Sequence, residues 1–208
     1  MSTADGPNGL AGDLSRTAIL AMDLQAGVVS VYVKDPSFIA RAASVIAAAR
    51  PLGVPVVYVK VGLRPGVPEA SPRNRFLSAV RASAAHQRFF QGEHGAIHAG
   101  LAPLDGDLIV TKSRIGAFAG TDLDLLLRAK DIDTIVLFGI ATGGVVLATV
   151  LQAIDLDYRV IVIADCCADD DGELQECLLG KLLPRYASVL SAADFTRALA
   201  ARGPQPGS

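Results

Sequence analysis

Cysteine is scarce in this sequence: there are three in 208 residues, and two of them, Cys166 and Cys167, are adjacent. Such a set cannot form the paired disulfide framework of a small secreted domain, and it is typical of a protein kept in a reducing cytosol. Residues 1–15 also lack the long apolar core of a secretory signal. We therefore predict a cytoplasmic protein.

An excess of either charge is absent as well, since 19 basic residues face 21 acidic ones. Without a basic stripe the chain has no electrostatic footprint for nucleic acid, which we exclude as a partner. One apolar stretch, residues 134–151, is long enough to suggest a membrane span. Three glycines interrupt it, and both of its flanks are acidic, with no positive-inside bias. A buried strand followed by a buried helix explains it better, so no membrane partner is expected.

Short β-branched runs alternate with helical patterns along the chain. Strands are predicted at residues 17–22, 55–61, 108–111, 134–138, 159–164 and 187–190. Helices are predicted at residues 36–50, 122–129, 145–154, 172–183 and 192–200. Near-continuous apolar strands separated by helices indicate a parallel sheet covered on both faces. The predicted fold class is α/β: a three-layer αβα, Rossmann-like domain with a doubly wound, six-stranded parallel sheet.

One domain, residues 17–201, accounts for this pattern, with flexible tails at residues 1–16 and 202–208. The segment 62–106 breaks the alternation, because it is rich in Pro, Arg and Gly and holds all three histidines. An insert of this length predicts a lid or a partner-binding region. Its arginines suggest an anionic group on the ligand, although arginine is more commonly a solvated surface charge.

The run of small residues from Phe138 to Val146 lies between a predicted strand and a predicted helix. A strand that turns into a helix in this way leaves main-chain N–H groups uncovered, and these can bind an anion or stabilise an oxyanion. No Cys, Ser or charged side chain stands at the start of the helix. The turn therefore offers electrostatic stabilisation but no nucleophile of its own.

Polar residues follow several of the other predicted strands. Asp23 and then Gln25 follow the first strand, Lys112 and then Arg114 follow the third, and Cys166 with Cys167 follows the fifth. Because ligands of open parallel sheets bind beyond the carboxyl ends of the strands, we expect the acid and the lysine to converge on the glycine-rich turn. The two cysteines are interpreted as small buried hydrophobes, the common state of a free thiol.

These motifs resemble those of the isochorismatase-like hydrolase superfamily over residues 17–199. The resemblance is carried by residues 18–29, 112–146 and 148–169, with D-x-Q after the first strand, K-x-R-x-x-A-F after the third and G-x-x-T at the fourth. In the cysteine hydrolases of that superfamily, an Asp, a Lys and a Cys form the catalytic set. The resemblance places the first two at Asp23 and Lys112, while Val145 stands in the position of the Cys. Members that hydrolyse isochorismate also lack that Cys and keep the other two residues.

The resemblance also implies roles for the residues around this pair. A cis peptide is expected between Ile140 and Ala141, and the family is usually oligomeric, which predicts a homo-oligomer (dimer or tetramer). The oxyanion turn is assigned to the backbone of Ala141 and Val145 together with Thr142, Gly143 and Gly144. Substrate-binding side chains are assigned to Gln25, Arg114 and Phe118.

No metal or other cofactor is expected. The nicotinamidase branch of the superfamily binds a metal after its second strand, where residues 60–64 here offer no ligand. No G-x-G-x-x-G or P-loop follows the first strand, which argues against a dinucleotide or ATP site. His94 and His98 stand four residues apart beside Glu93 and could mimic a metal pair. Gly95 weakens any helix that would align them, so lid or surface packing is the preferred interpretation.

At a separation of about 4 Å, Asp23 and Lys112 would attract each other by about 4 kcal/mol at an effective dielectric constant of about 20. We therefore expect an ionised Asp23 in the empty protein, unless burial or a substrate carboxylate that engages Lys112 and Arg114 reverses this. Three functions stay open: a cysteine-independent hydrolase of a vinyl ether in a small anionic substrate, a water-using amidase, and an inactive binding protein on this scaffold.

Overall fold

The computed structural model describes residues 13–101 and 103–202. Its strands are β1 (Thr17–Met22), β2 (Val56–Val61), β3 (Leu108–Lys112), β4 (Thr134–Gly139), β5 (Arg159–Ile163) and β6 (Ser188–Leu190). Its α-helices are α1 (Ala26–Tyr32), α2 (Phe38–Ala49), α3 (Arg75–Ala82), α4 (Ala84–Arg88), α5 (Leu123–Ala129), α6 (Leu147–Asp155), α7 (Gly172–Cys177) and α8 (Ala192–Ala200).

All six strands are parallel and form one sheet in the order β3-β2-β1-β4-β5-β6. Helices cover both sides of the sheet, which confirms the predicted α/β class and doubly wound arrangement. The central strands β1 and β4 are buried at every position. Burial on both faces explains why their sequences are almost continuously apolar rather than alternating.

Differences from the predicted elements are concentrated at the helices. The helix predicted at residues 145–154 begins with a π-helical turn, Thr142–Val146, and continues as α6. The helix predicted at 172–183 is α7 followed by a π turn, Leu178–Leu182, and a 3-10 turn, Leu183–Arg185. Pro184 lies in that last turn, where its missing N–H prevents further α-helix. Helix α1 was not predicted, because its valines carry no helical signal.

The segment 62–106 contains α3, α4 and two 3-10 turns, Gly92–Gly95 and Ala99–Leu101. A small cluster of Val67, Ala70 and Leu77, with Leu63 packed against it, is separate from the main core. The second half of the segment is joined to the chain that follows β1 by main-chain hydrogen bonds from Ala26 N to Ala96 O (2.9 Å) and from His98 N to Leu24 O (2.9 Å).

The folded body extends into the predicted N-terminal tail. Leu14–Arg16 forms a 3-10 turn whose Leu14 is buried, and Arg16 Nε donates to Asp133 Oδ2 at 2.9 Å. The remainder of the two predicted tails, residues 1–12 and 203–208, lies outside the described residues. Within the described part of the chain, every helix is too short or too polar to cross a bilayer.

Candidate active site

The site lies where the winding of the sheet reverses, between the neighbouring strands β1 and β4. Asp23 directly follows β1, and the glycine-rich turn follows β4, so both are at the carboxyl edge of the sheet. Asp23 has a positive φ of 54°, a left-handed conformation that aspartate tolerates better than most residues. Its main-chain N–H donates to Val59 O at 2.8 Å, which fixes the turn against β2.

Lys112, the last residue of β3, reaches past the end of β2 to Asp23. Its Nζ lies 2.8 Å from Asp23 Oδ2. The same ammonium donates to the main-chain oxygens of Arg114 (3.0 Å) and Ile115 (3.1 Å). Its three hydrogens therefore have three acceptors. Both members of the pair are buried, with 6% of Asp23 and 3% of Lys112 exposed, so the predicted convergence of the two side chains is observed.

Burial raises the pKa of the Asp23 carboxyl above its ordinary value, although the Lys112 ammonium and its hydrogen bond act in the opposite direction. Burial therefore opposes the attraction from Lys112 that was expected to keep the carboxyl ionised. The reason is that both groups are removed from water, and the loss of hydration of the carboxylate outweighs the attraction. Asp23 is consequently suited to carry a proton.

Two buried oxygens at this site find no hydrogen-bond partner among the described residues: Asp23 Oδ1 and Thr142 Oγ1. Oδ1 is the carboxyl oxygen that does not face Lys112. Buried polar atoms are normally paired, and an unpaired one at a site calls for an explanation. A ligand or water with polar atoms would supply the missing partners.

The turn after β4 has the expected cis peptide between Ile140 and Ala141. The N–H of Ala141 makes no hydrogen bond within the described residues, while its carbonyl accepts from Gly144 N (3.1 Å) and Val146 N (3.3 Å). Thr142 N donates to Ala168 O at 3.0 Å. Among these N–H groups, that of Ala141 is the one left for an oxyanion.

Asp169 was missed as a residue of this turn. Its Oδ2 accepts from Gly143 N at 2.7 Å, so part of the predicted anion-binding turn is filled by a carboxylate of the chain itself. Of the three consecutive acids Asp169, Asp170 and Asp171, only Asp171 caps helix α7, because its Oδ1 accepts from Leu174 N at 3.0 Å. The distinction depends on the bridge between Ile140 and Ala168, a long-range pairing that the sequence does not reveal.

The buried residues of the site region include no activated thiol in the described structure. Val145 is 2% exposed and aliphatic. Burial raises the pKa of the Cys166 thiol strongly and raises the pKa of Cys167 to about 12. Both thiols are therefore protonated at neutral pH, and a protonated thiol is a poor nucleophile.

The three predicted substrate-binding side chains are not brought together. Gln25 is fully buried, and its Nε2 donates to Val61 O (3.1 Å) and Gly95 O (3.0 Å), so its donors are already used. Arg114 is exposed and bonds to the adjacent carbonyl of Ser113. Phe118 stacks on Tyr158, with 5.7 Å between ring centroids. Because Tyr158 directly precedes β5, this contact lies at the amino edge of the sheet, away from Asp23.

The two histidines considered as a metal pair do not gain further ligands. His98 Nδ1 accepts the N–H of Gly100 at 3.1 Å. The described residues include no group of three or more His, Cys, Asp or Glu side chains placed to hold a metal ion.

Residues 17–194 match the family model described as Isochorismatase domain. The uncharacterized isochorismatase family protein YecD of Escherichia coli O157:H7 is 32% identical over 187 residues, which cover 88% of this chain and 96% of that protein. Ureidoacrylate amidohydrolase RutB of Methylobacterium radiotolerans is 31% identical over 93% of this chain and 83% of that protein. Among solved structures, an isochorismatase family protein from Burkholderia thailandensis superposes with a TM-score of 0.76, is 31% identical, and covers 89% of this chain and 96% of that chain.

Proposed function

Since this chain belongs to the isochorismatase family, we propose that it is a hydrolase that cleaves a vinyl ether in a small anionic substrate without a cysteine nucleophile. The observation that carries the proposal is the state of Asp23. Its carboxyl is buried with a raised pKa, and its Oδ1 has no partner within the described residues. A buried carboxyl with a raised pKa and one unpaired oxygen is suited to act as a general acid.

The reaction begins with transfer of the Oδ1 proton to the terminal carbon of the vinyl group. The carbon–carbon double bond supplies the electron pair, and the ether oxygen stabilises the resulting oxocarbenium ion. Water adds to the cationic carbon and loses a proton to Asp23. This proton regenerates the acid. The hemiketal then collapses to a ketone and an alcohol, as its hydroxyl proton passes to the departing ether oxygen.

Lys112 supports the charged stage of this sequence. When Asp23 gives up its proton, its carboxylate is left 2.8 Å from the ammonium, where opposite charges attract strongly in a buried site. The new carboxylate also lies beside the oxocarbenium ion that it helped to form. The pair is therefore arranged so that charge separation develops between groups already in place.

Replacing Asp23 with Asn tests the proposal. The amide keeps the shape of the carboxyl but cannot deliver the proton, so we expect turnover of a vinyl-ether substrate such as isochorismate to fall by about 10²- to 10⁴-fold. Steady-state release of the ketone measures this. Asp105→Asn, an exposed residue in the loop before β3, is the matched control and should retain full turnover. Near-normal turnover by a folded Asp23→Asn variant would remove Asp23 from the chemistry.

A second candidate is amide hydrolysis by water, with the main chain of the turn as an oxyanion hole. The unpaired N–H of Ala141 favours it, as does the similarity to ureidoacrylate amidohydrolase. In this reaction the Asp23 carboxylate would act as the base that activates water.

Val145→Cys separates the two candidates. If the turn and the Asp23–Lys112 pair are competent for acyl transfer, a thiol at this position should produce or increase hydrolysis of ureidoacrylate. The substitution removes little volume, so we expect a loss of stability of only about 0.5–1.5 kcal/mol. Val146→Cys, which is equally buried, is the control and should gain nothing. A folded Val145→Cys variant without activity argues against an amidase arrangement.

The same two substrates, isochorismate and ureidoacrylate, also test whether the protein only binds its ligand. A raised melting temperature in the presence of a substrate, with no product formed, would show that the scaffold binds but does not turn over. That result contradicts both proposed reactions.

A further inference from the structure

The first half of the 62–106 segment is strongly basic. Between Gly62 and Gly92 there are five arginines and a single acid, Glu69. Arg64 pairs with Glu69 at 2.7 Å, and Arg81 donates to Ala70 O at 3.1 Å. The side chains of Arg73 and Arg75 make no ion pair or hydrogen bond with the described residues. Two guanidinium groups are therefore available to a ligand.

These two arginines line an open groove of about 750 Å³ on the surface of the protein. Its apolar wall includes Phe76 and Ile115, which are 50% and 42% exposed. The groove therefore has an apolar part beside a positively charged part. The ligand that complements both has an anionic group and a flat apolar body.

The groove is built on ordered structure. Asn74 Oδ1 caps α3 by accepting from Leu77 N at 3.0 Å, and Ser78 Oγ donates to Ser71 O at 3.0 Å. Leu77 in turn packs into the small cluster with Val67 and Ala70. The main chain that carries Arg73 and Arg75 is thus held in place before any ligand arrives, which lowers the entropy lost on binding.

Ile115 connects the groove to the buried pair. Its side chain lines the groove, while its main-chain oxygen accepts from Lys112 Nζ at 3.1 Å. A ligand in the groove therefore contacts a residue that also holds the Lys112 ammonium beside Asp23. Ile115 is thus the residue through which the groove and the buried pair are connected.

We propose that this groove binds the carboxylate end of the substrate, through Arg73 and Arg75, with the apolar part of the molecule against Phe76 and Ile115. The guanidinium fork matches the two oxygens of a carboxylate. Phe76 and Ile115 select an unsaturated or aromatic acid over a small hydrophilic one. In placing the reacting bond at Asp23, the inference rests on the function proposed above.

Binding is tested with benzoate, a flat acid, and benzamide, its uncharged counterpart, by isothermal titration calorimetry on the full chain. We expect benzoate to bind and benzamide to bind at least about tenfold more weakly, because the charge-assisted hydrogen bonds are lost. The double variant Arg73→Gln/Arg75→Gln should bind benzoate about tenfold more weakly than the wild type does. Arg88→Gln, an exposed arginine of the same segment outside the groove, should bind benzoate like the wild type.

Equal affinity of the wild type for benzoate and benzamide would overturn the proposal. Unchanged benzoate affinity in the double variant would overturn it as well. The arginines that are replaced are exposed and make no side-chain hydrogen bond or ion pair with the described residues. Both variants are therefore expected to fold, and a melting curve checks this.

Kinetics distinguishes failure of the groove from failure of the chemistry. With a substrate that is turned over, the double variant should raise KM for the acid and leave kcat nearly unchanged, whereas Asp23→Asn lowers kcat. Absence of turnover in every protein, together with arginine-dependent benzoate binding, would reject the proposed reaction and keep the groove. If the double variant turns over the substrate with the same KM as the wild type, the proposed role of the groove is rejected and the proposed reaction stands.

Discussion

Gly139 ends β4 at a place where the chain leaves no room for a side chain. A Cβ at this position would lie 2.1 Å from Met22 O, the carbonyl that also accepts from Ile140 N. Its φ of 154° adds a conformation that residues with a side chain avoid. We expect Gly139→Ala to lower the free energy of unfolding by roughly 2–4 kcal/mol, measured by urea denaturation.

Gly180 provides the matched control for that substitution. A Cβ there meets no atom within 4 Å, so Gly180→Ala should leave the stability unchanged or raise it by up to about 1 kcal/mol. If Gly139→Ala were as stable as Gly180→Ala, there would be room for a side chain at Gly139, which contradicts the close approach of β1 and β4 at the turn.

At the scale of single residues, the proximity of Asp23 and Lys112 was predictable from the sequence, but the shift of the Asp23 pKa was not. Asp23 and Lys112 could be predicted because residues at the carboxyl ends of parallel strands converge. The raised pKa of Asp23 could not, since it depends on how completely both side chains are buried. The bond from Gly143 N to Asp169 also escaped prediction, because it joins segments 26 residues apart through tertiary packing.

Gln25 links three elements at the edge of the site, namely β1 with α1, the end of β2, and the Gly92–Gly95 turn. Besides its two donated bonds, its Oε1 accepts from Val61 N at 2.8 Å. Gln25→Ala would leave buried main-chain groups unpaired, at a cost of about 1–3 kcal/mol for each. We expect faster hydrogen exchange at the amides of Ala26 and His98, measured by NMR.

Gln87→Ala is the control, because the amide of Gln87 makes a single exposed bond to Arg81 O at 2.8 Å. Exchange at Ala26 and His98 should then match the wild type. Protection that survives Gln25→Ala would mean that the second half of the 62–106 segment is held by its own main-chain bonds alone.

Strands were the elements best predicted from the sequence, because β-branched residues buried on both faces leave a continuous apolar run. Helix α1 was not predictable, since its Val28, Val29 and Val31 resemble a strand and its contacts with segment 62–106, such as the bond from Ala26 N to Ala96 O, join distant parts of the chain. The π turn at Thr142–Val146 was hidden as well, because its geometry depends on the bond from Thr142 N to Ala168 O.

At the scale of the whole molecule, stability should depend on pH through Asp107. Arg50 donates to both of its oxygens, at 2.9 and 2.6 Å, and Leu104 N donates at 2.8 Å. Burial alone would raise the pKa of Asp107, but these hydrogen bonds outweigh it and lower the pKa. The carboxylate therefore stabilises the fold above its ordinary pKa of about 4, and this contribution is lost as the pH falls below it.

Thermal unfolding of Asp107→Asn across the pH range checks this. The melting temperature of the variant should be lower than that of the wild type at about pH 7. The gap should narrow below about pH 4, where the carboxyl becomes protonated first in the unfolded chain and, at still lower pH, in the folded protein. Asp105→Asn should show no such gap at either pH. A gap of constant size would assign the effect to packing rather than to charge.

The overall architecture was predictable because it follows from the alternation of strands and helices, while assembly and location do not follow from it. The homo-oligomeric state and the cytoplasmic location stay predictions. Analytical ultracentrifugation measures the first of these directly.

The three acceptors around the Lys112 ammonium have a consequence for the choice of substrates. A cation whose hydrogens are all engaged influences an incoming molecule through its field, which depends on distance and hardly on the direction of approach. Such a centre does not enforce one orientation on the reacting group. Discrimination between substrates then depends on the side chains around the pair. Substitution of those side chains can change substrate specificity while Asp23 and Lys112 stay unchanged.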